Sequence, residues 1–350
     1  MEDEKYMRRC LQLARNGLCR TAPNPMVGAV IVCDGRIIGE GYHARCGQAH
    51  AEVNAIRSVK EPDLLKRSTL YVSLEPCSHY GKTPPCADLI VEKGIPRIVV
   101  GCQDPFAKVA GRGIGKLRDA GREVVVGVLE KECRRLIRRF ITFHTWKRPY
   151  VTLKWAESAD GFLDKTRTRT DSVPVRLSND WTQMLVHKKR AEHSAILVGT
   201  RTALLDNPRL DVRCWQGPSP VRIVIDRQGT LPAAGHLFDG SALTLVFTET
   251  QREARSNVEY VHADFSQPLL PQLLGELHAR QLQSLLVEGG AATLQSFLDA
   301  GAWDEAFVEE APVRLAEGVQ APRISQKKIC LKEQHFGRTI RHYWADETWL

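Results

Sequence analysis

Three residues that stand far apart in this sequence have to meet. His50, Cys77 and Cys86 are one imidazole and two thiols. They form the donor set of a tetrahedral zinc ion whose fourth position is left for water. Two thiolates cancel the charge of the ion, and the pKa of its bound water falls towards neutrality. Glu52 follows His50 by two positions, too close to be a convenient further ligand. It is well placed to carry a proton between the water and a substrate nitrogen. Scattered His and Cys residues are usually packing residues. Here Glu52, Pro76 and the turn Pro84-Pro85-Cys86 all agree with the zinc reading.

The surrounding pattern has to deliver these groups to one point. Residues 3–17 read as an amphipathic helix with Tyr6, Cys10, Leu11, Leu13 and Ala14 inward. The loop Ala22-Pro23-Asn24-Pro25 leads into a strand at 29–32. Asp34-Gly35 is a hairpin signal, and 36–41 is the return strand. Asn24, between two prolines, is either a plain turn residue or an amide held ready for a ligand. A helix opens at His50 and runs through Val53, Ile56 and Val59, so Glu52 lies in its first turn, where the dipole favours a carboxylate. Strands are expected at 68–74, 97–101 and 123–127, and helices at 86–93, 113–120 and 130–145. This order predicts a three-layer α/β domain with a mixed sheet and the metal at helix N-termini. Gly111-Arg112-Gly113-Ile114-Gly115 is not a dinucleotide fingerprint, because Asp104-Pro105-Phe106 before it reads as a loop.

Lys147-Arg148-Pro149 marks a boundary. Beyond it, strands are expected at 150–155, 195–198, 221–225, 243–247, 284–288 and 306–310, with helices near 179–191, 269–279 and 291–299. Glu288-Gly289-Gly290 joins a strand to a helix, where backbone N–H groups can approach a pyrophosphate. Arg227 follows another strand and can clamp a phosphate. The 350 residues suit about two domains. No apolar run reaches about 18 residues, so no membrane span is expected. The N-terminus is acidic and unlike a signal peptide. The ten cysteines are dispersed, which suggests reduced thiols in the cytoplasm. The formal charge of +8 is scattered. Its densest group, Arg134, Arg135, Arg138 and Arg139, reads as a solvated helix face, and a phosphorylated small molecule needs only a few such charges.

His-x-Glu followed by Pro-Cys and a second Cys resembles the zinc deaminases of cytosine and adenine-like rings. The usual Cys-x-x-Cys is replaced here by a longer insert, Ser78 to Pro85. That insert, with Gln103-Asp104-Pro105 and Val109 to Gly113, resembles the deaminase half of the bifunctional deaminase/reductases of riboflavin biosynthesis. Residues 150–310 resemble the reductase half, a relative of the dihydrofolate reductase fold that binds NADPH without a Gly-x-Gly-x-x-Gly loop. The matching pieces include Leu153-Lys154, Ser158-Ala159-Asp160-Gly161, Asp206-Asn207-Pro208-Arg209-Leu210 and Val287-Glu288-Gly289-Gly290.

The resemblance implies a cytidine-deaminase-like domain over 1–147 and a dihydrofolate-reductase-like domain over 148–350. It gives zinc to His50, Cys77 and Cys86 and the proton shuttle to Glu52. Asn24, His79 and Lys82 fall on deaminase substrate positions, Lys82 towards the phosphate. Pro174, Arg190, Leu210, Arg213 and Glu288 fall on reductase substrate positions. Ala156, Arg176, Thr202, Asp206, Arg227 and a turn of Gly290, Ala291, Ala292, Thr293, Leu294, Gln295 and Ser296 fall on cofactor positions. Lys154 and Asp206 are the two candidates to protonate the opening sugar. The family's Trp-Ile-Thr is absent, and Pro174-Val175-Arg176-Leu177-Ser178 stands there. The implied activity is hydrolytic deamination of a phosphorylated diaminopyrimidine, then NADPH-dependent reduction of its ribosyl group to ribityl. A cytoplasmic enzyme without nucleic-acid or membrane partners is expected, and a homo-oligomer is left open. A nucleic-acid-editing deaminase would share His-x-Glu and Pro-Cys but would not need the second half. A structural zinc site would fill the fourth position with protein.

Overall fold

The structure is a computed structural model, and it describes residues 2–78, 84–105, 110–168, 173–324 and 329–346. The chain divides into two compact units that part between Lys147 and Arg148.

The first unit contains α1 (Glu2–Ala14), β1 (Gly28–Cys33), β2 (Arg36–Tyr42), α2 (Ala51–Ser58) and β3 (Thr69–Leu74). It continues with α3 (Cys86–Glu92), β4 (Arg97–Cys102), α4 (Arg112–Asp119), β5 (Glu123–Val126), α5 (Glu130–Leu136) and α6 (Arg138–Trp146). The sheet order is β2-β1-β3-β4-β5. β1 is antiparallel to both neighbours, while β3, β4 and β5 run parallel. Successive strand residues face opposite sides, and both sides of this sheet are covered. Ala29, Ile31, Leu70, Val72, Ile98 and Val100 pack with Ala51 and Ala55 of α2, Ile90 of α3 and Leu117 of α4. On the other side α1 meets the sheet, with Cys10 Sγ donating to the Tyr71 carbonyl and the Tyr6 and Tyr71 rings 5.0 Å apart. The result is the three-layer, mixed-sheet domain expected from the sequence.

Two local expectations are corrected. The first helix ends at Ala14 and tightens to a 3₁₀ turn over Arg15–Gly17. The single basic helix at 130–145 is two helices, α5 and α6. They break at Ile137, whose backbone leaves the helical region at φ −102°, ψ 20° while its side chain stays buried.

The second unit contains β6 (Tyr150–Ser158), β7 (Phe162–Asp164), α7 (Asp180–Ala191), β8 (Ala195–Val198), α8 (Thr200–Asp206), β9 (Val221–Ile225), β10 (Thr244–Thr248) and β11 (Val258–His262). There follow α9 (Leu269–Ala279), β12 (Ser284–Val287), α10 (Ala291–Asp299), β13 (Glu305–Ala311), β14 (Val319–Gln320), β15 (Ile329–His335) and β16 (Arg338–Trp344). The main sheet has the order β11-β10-β9-β8-β12-β6-β13-β16-β15. The strands from β11 to β13 are parallel, and β16 and β15 add an antiparallel hairpin at the edge. The apolar runs read as strands are those buried on both faces. In β8, Ala195 and Leu197 enter one core cluster, and Ile196 and Val198 enter the other. The sequence reading missed α8, β11, the short strands β7 and β14, and the hairpin of β15 and β16. The hairpin carries Lys332, Glu333, Arg338 and Arg341 among its apolar residues, and its place comes from pairing β16 with β13. β12 ends one residue earlier than expected, which leaves Glu288 beyond the strand. Among the described residues no helix is long and apolar enough to cross a membrane.

Candidate active sites

Two helix N-termini and one strand exit build the metal centre. His50 is the N-cap of α2, Cys86 is the first residue of α3, and Cys77 lies three residues past β3. Their ligand atoms all lie within 4.8 Å of one another. His50 Nδ1 is 3.6 Å from Cys77 Sγ and 3.4 Å from Cys86 Sγ. Tetrahedral zinc with ordinary Zn–N and Zn–S bonds requires about 3.6 Å between such atoms, so the three donors fit the ion. The Cys86 backbone N–H donates to Cys77 Sγ at 3.3 Å, as suits a thiolate. The Cys77 thiol is held down to about 4 by the hydrogen bond from Cys86 and the nearby His50. The same sulfur–sulfur contact, together with burial, pushes the Cys86 thiol up.

Glu75 anchors the strand exit, which was not foreseen. Its carboxylate accepts from the backbone N–H groups of Asp104 (3.2 Å), Gly111 (3.0 Å), Gly113 (2.9 Å) and Ile114 (3.2 Å). The glycine-rich start of α4 therefore receives a protein carboxylate, in agreement with its rejection as a dinucleotide loop. Gly113 is needed for close approach, since a Cβ there would lie 2.0 Å from the Pro76 carbonyl oxygen.

Glu52, in the first turn of α2, is 4% exposed. Burial, and then the charge of Cys77, push its carboxyl up to about 7. Such a group can both take and give a proton near neutrality. Asn24 reaches this site through His43, a residue the sequence reading missed. His43 Nδ1 lies 3.1 Å from the Ala49 carbonyl oxygen, and its Nε2 lies 3.1 Å from Asn24 Nδ2. The carbonyl can only accept, so His43 carries its proton on Nδ1 and accepts from the Asn24 amide at Nε2. Burial lowers the His43 pKa and favours this neutral ring. Its ring stands edge-on to that of His50, with centroids 5.5 Å apart. His79 and Lys82 lie outside the described residues.

The second site is a cavity of about 660 Å³ in the second unit, at the carboxyl ends of β8 and β12 and along β6. Crevices outside the carboxyl ends of parallel strands are where open α/β sheets bind ligands. Of the residues singled out from the sequence, Lys154, Ala156, Pro174, Arg176, Arg190, Thr202, Asp206, Glu288, Gly290, Ala291 and Leu294 line it. Gly290 holds φ +78° as the N-cap of α10, a conformation natural to glycine. Cationic side chains and exposed backbone of this kind fit a dinucleotide phosphate.

The turn expected at 290–296 is corrected. Residues 291–296 are not a turn but the first part of α10. Helical spacing puts Ala291 and Leu294 on the cavity side, whereas Ala292, Thr293, Gln295 and Ser296 are not among the lining residues. Gln295 instead accepts from the Arg323 backbone and donates to Asp299. Leu210 is 2% exposed, with its side chain in a core cluster with Ile196 and Val224. Arg213 borders the cavity without lining it, since its backbone N–H donates to Nδ1 of the wall residue His187, whereas Arg227 is not a lining residue. Arg213 pairs with Asp211 at 2.5 Å, and Arg227 pairs with Glu249 at 2.9 Å on the exposed surface.

Ion pairs organise the cavity wall. Arg190 grips Glu288 with two bonds, of 3.0 and 2.7 Å. Burial would raise the Glu288 pKa, but Arg190 outweighs it and the carboxyl stays below its ordinary value. Burial lowers the Lys154 pKa, against the opposing charges of Glu288 and Glu309. Asp206 is paired with Arg167, which also holds Asp164 at 2.6 Å. Arg176 pairs with Asp180. Ser178 donates to Glu309 at 2.6 Å, fastening the segment that departs from the family pattern to β13. Arg167 and Glu309 carried no sequence signal, since Asp206, Ser178 and Thr182, which they meet here, are distant in the chain.

Two family models match the chain. One, the cytidine and deoxycytidylate deaminase zinc-binding region, matches residues 1–102. The other, the RibD C-terminal domain, matches residues 149–335. The riboflavin biosynthesis protein RibD of Aquifex aeolicus is 40% identical over 93% of this chain and 92% of its own. That of Escherichia coli is 37% identical over 99% and 98%. The crystal structure of a diaminohydroxyphosphoribosylaminopyrimidine deaminase/5-amino-6-(5-phosphoribosylamino)uracil reductase from Thermotoga maritima is 38% identical. It superposes with a TM-score of 0.88 and covers 98% of each chain.

Proposed function

The chain belongs to the RibD family of bifunctional deaminase/reductases in riboflavin biosynthesis, and from that premise we propose how its residues divide the work. Residues 1–147 carry the deaminase and 148–350 the reductase. The first substrate is the phosphorylated diaminopyrimidine, and the reductase takes the deaminated product.

In deamination a C–O bond forms between water and the amine-bearing ring carbon, the exocyclic C–N bond to the amino group breaks, and that nitrogen leaves as ammonia. His50, Cys77 and Cys86 would hold the zinc ion, which would supply a polarised water at neutral pH. Glu52 takes the proton from that water and passes it to the leaving nitrogen. Asn24, oriented by His43, holds the hydrogen-bonding edge of the ring, while His79 and Lys82 complete the substrate contacts, Lys82 at the phosphate. The observation that carries this reading is the convergence of three zinc donors beside the buried Glu52 carboxyl.

In reduction NADPH bound at this cavity would supply hydride to C1′ of the ribosyl group, and the ring oxygen would take a proton as the sugar opens. Both Lys154 and Asp206 line the cavity, and Lys154 is the proton donor because Asp206 is engaged by Arg167. Arg190, Glu288, Pro174 and Arg213 hold the substrate. Ala156, Arg176, Thr202, Asp206, Gly290, Ala291 and Leu294 form the cofactor wall. The enzyme works in the cytoplasm on a small molecule, without nucleic acid; a homo-oligomer is compatible with this reading. The test is incubation with the diaminopyrimidine, with and without NADPH, following ammonia and NADPH separately. Ammonia should appear in both, and NADPH should be consumed only after it. Salt-dependent binding to RNA, with no ammonia from the pyrimidine, would favour an editing deaminase instead.

A further inference from the structure

His187 has no part in the assignments above, yet it is 1% exposed in α7 and belongs to the cavity wall. Arg190 follows it by three residues, and residues so spaced share a helix face. Both reach the same segment. Arg190 Nη1 donates to the Asp211 carbonyl at 3.1 Å, and the Arg213 backbone N–H donates to His187 Nδ1 at 3.3 Å. An accepting Nδ1 requires the neutral ring with its proton on Nε2. Burial, and then the charges of Arg190 and Arg213, lower the His187 pKa and keep it neutral. The segment begins at Leu210, which holds φ +51° while its side chain enters the core. Beyond that point these two bonds tie the backbone to α7.

We propose that His187 is a positioning residue of the reductase: by accepting the Arg213 N–H it sets where the Arg213 guanidinium meets the phosphorylated substrate. The inference rests on the reading of Arg213 as a substrate residue. Two near-isosteric changes separate its role from mere filling of space. Asn places an oxygen near Nδ1 and can still accept from Arg213, whereas Gln places its amide near Nε2 and cannot.

The experiment compares His187→Asn, His187→Gln, His187→Ala and Arg213→Ala. It measures KM and kcat for the deaminated intermediate at saturating NADPH, the Kd of the reduction product by calorimetry without NADPH, and Tm. His187→Asn should stay within about twofold of the parent. His187→Gln and His187→Ala should raise KM and Kd about tenfold, of the order of one lost hydrogen bond, with a much smaller change in kcat. Equal values for Asn and Gln would overturn the proposal and make the residue a filler. An unchanged KM in His187→Ala beside a raised KM in Arg213→Ala would also overturn it. An unchanged KM in Arg213→Ala would instead remove the reading of Arg213 on which it rests. If His187→Ala does not fold, the Asn and Gln pair still decides.

Discussion

In the metal centre three donor atoms lie within 4.8 Å, and each is placed by the end of a regular element beside it. The reductase cavity is assembled across long separations. Arg190 and Glu288 stand 98 positions apart, Ser178 and Glu309 stand 131 apart, and Arg167 and Asp206 stand 39 apart. The first arrangement concentrates function in very few atoms, so losing one should abolish it. The second spreads position over a network, so single changes should be graded and should often affect stability as well as rate.

The largest effect is expected at the metal. Cys77→Ser or Cys86→Ser should lose zinc by elemental analysis and release no detectable ammonia. Both should still oxidise NADPH, within about twofold of the parent, when supplied with the deaminated intermediate. Glu52→Gln should keep its zinc and lose ammonia release by about 10²–10⁴-fold, the usual weight of a general acid–base group. Loss of reduction in a folded Glu52→Gln protein would mean that the two halves form one composite site.

Next comes the buried pair. Glu288→Ala leaves Arg190 without its carboxylate, and an uncompensated buried charge costs about 3–5 kcal/mol. Urea titration should show that loss, and NADPH oxidation should fail while ammonia release persists. An unchanged urea midpoint would show that solvent already screens Arg190 and would weaken the contrast between the sites.

A pH profile sharpens the comparison further. As the proposed proton donor, Lys154 can act only while charged, and burial lowers its pKa from the ordinary 10.5. The reductase kcat should therefore fall as pH rises, with a midpoint below that value, and Lys154→Met should abolish the step. A basic limb that survives in Lys154→Met would assign the proton to another group.

The smallest effect is expected at Arg227, exposed and paired with Glu249. Arg227→Ala should change the ratio of NADPH to NADH affinity by less than about twofold, as expected for a surface pair. A selective loss of NADPH binding would return the phosphate to this residue.

Much of the deaminase site was legible in the sequence because its signals are local. An imidazole and a carboxylate two apart at a helix start, and thiols beside prolines, carry their chemistry in the residue types themselves. The expected helices 269–279 and 291–299 and the strands 195–198 and 221–225 coincide with α9, α10, β8 and β9, since their apolar runs are those a covered sheet buries. The register of side chains across the fold was not legible. Nothing near Arg227 shows that Glu249 takes its charge, and nothing near Leu210 shows that the core takes its side chain. The hairpin of β15 and β16 exists where β13 offers it an edge, and Glu75 is held by amides from a loop and helix distant in sequence. Residue type and local period determined which groups could do chemistry and roughly which helix or strand would carry them. Only tertiary contact decided which charges stay available to a ligand, because a charged side chain is claimed by whichever partner the fold brings within hydrogen-bonding distance.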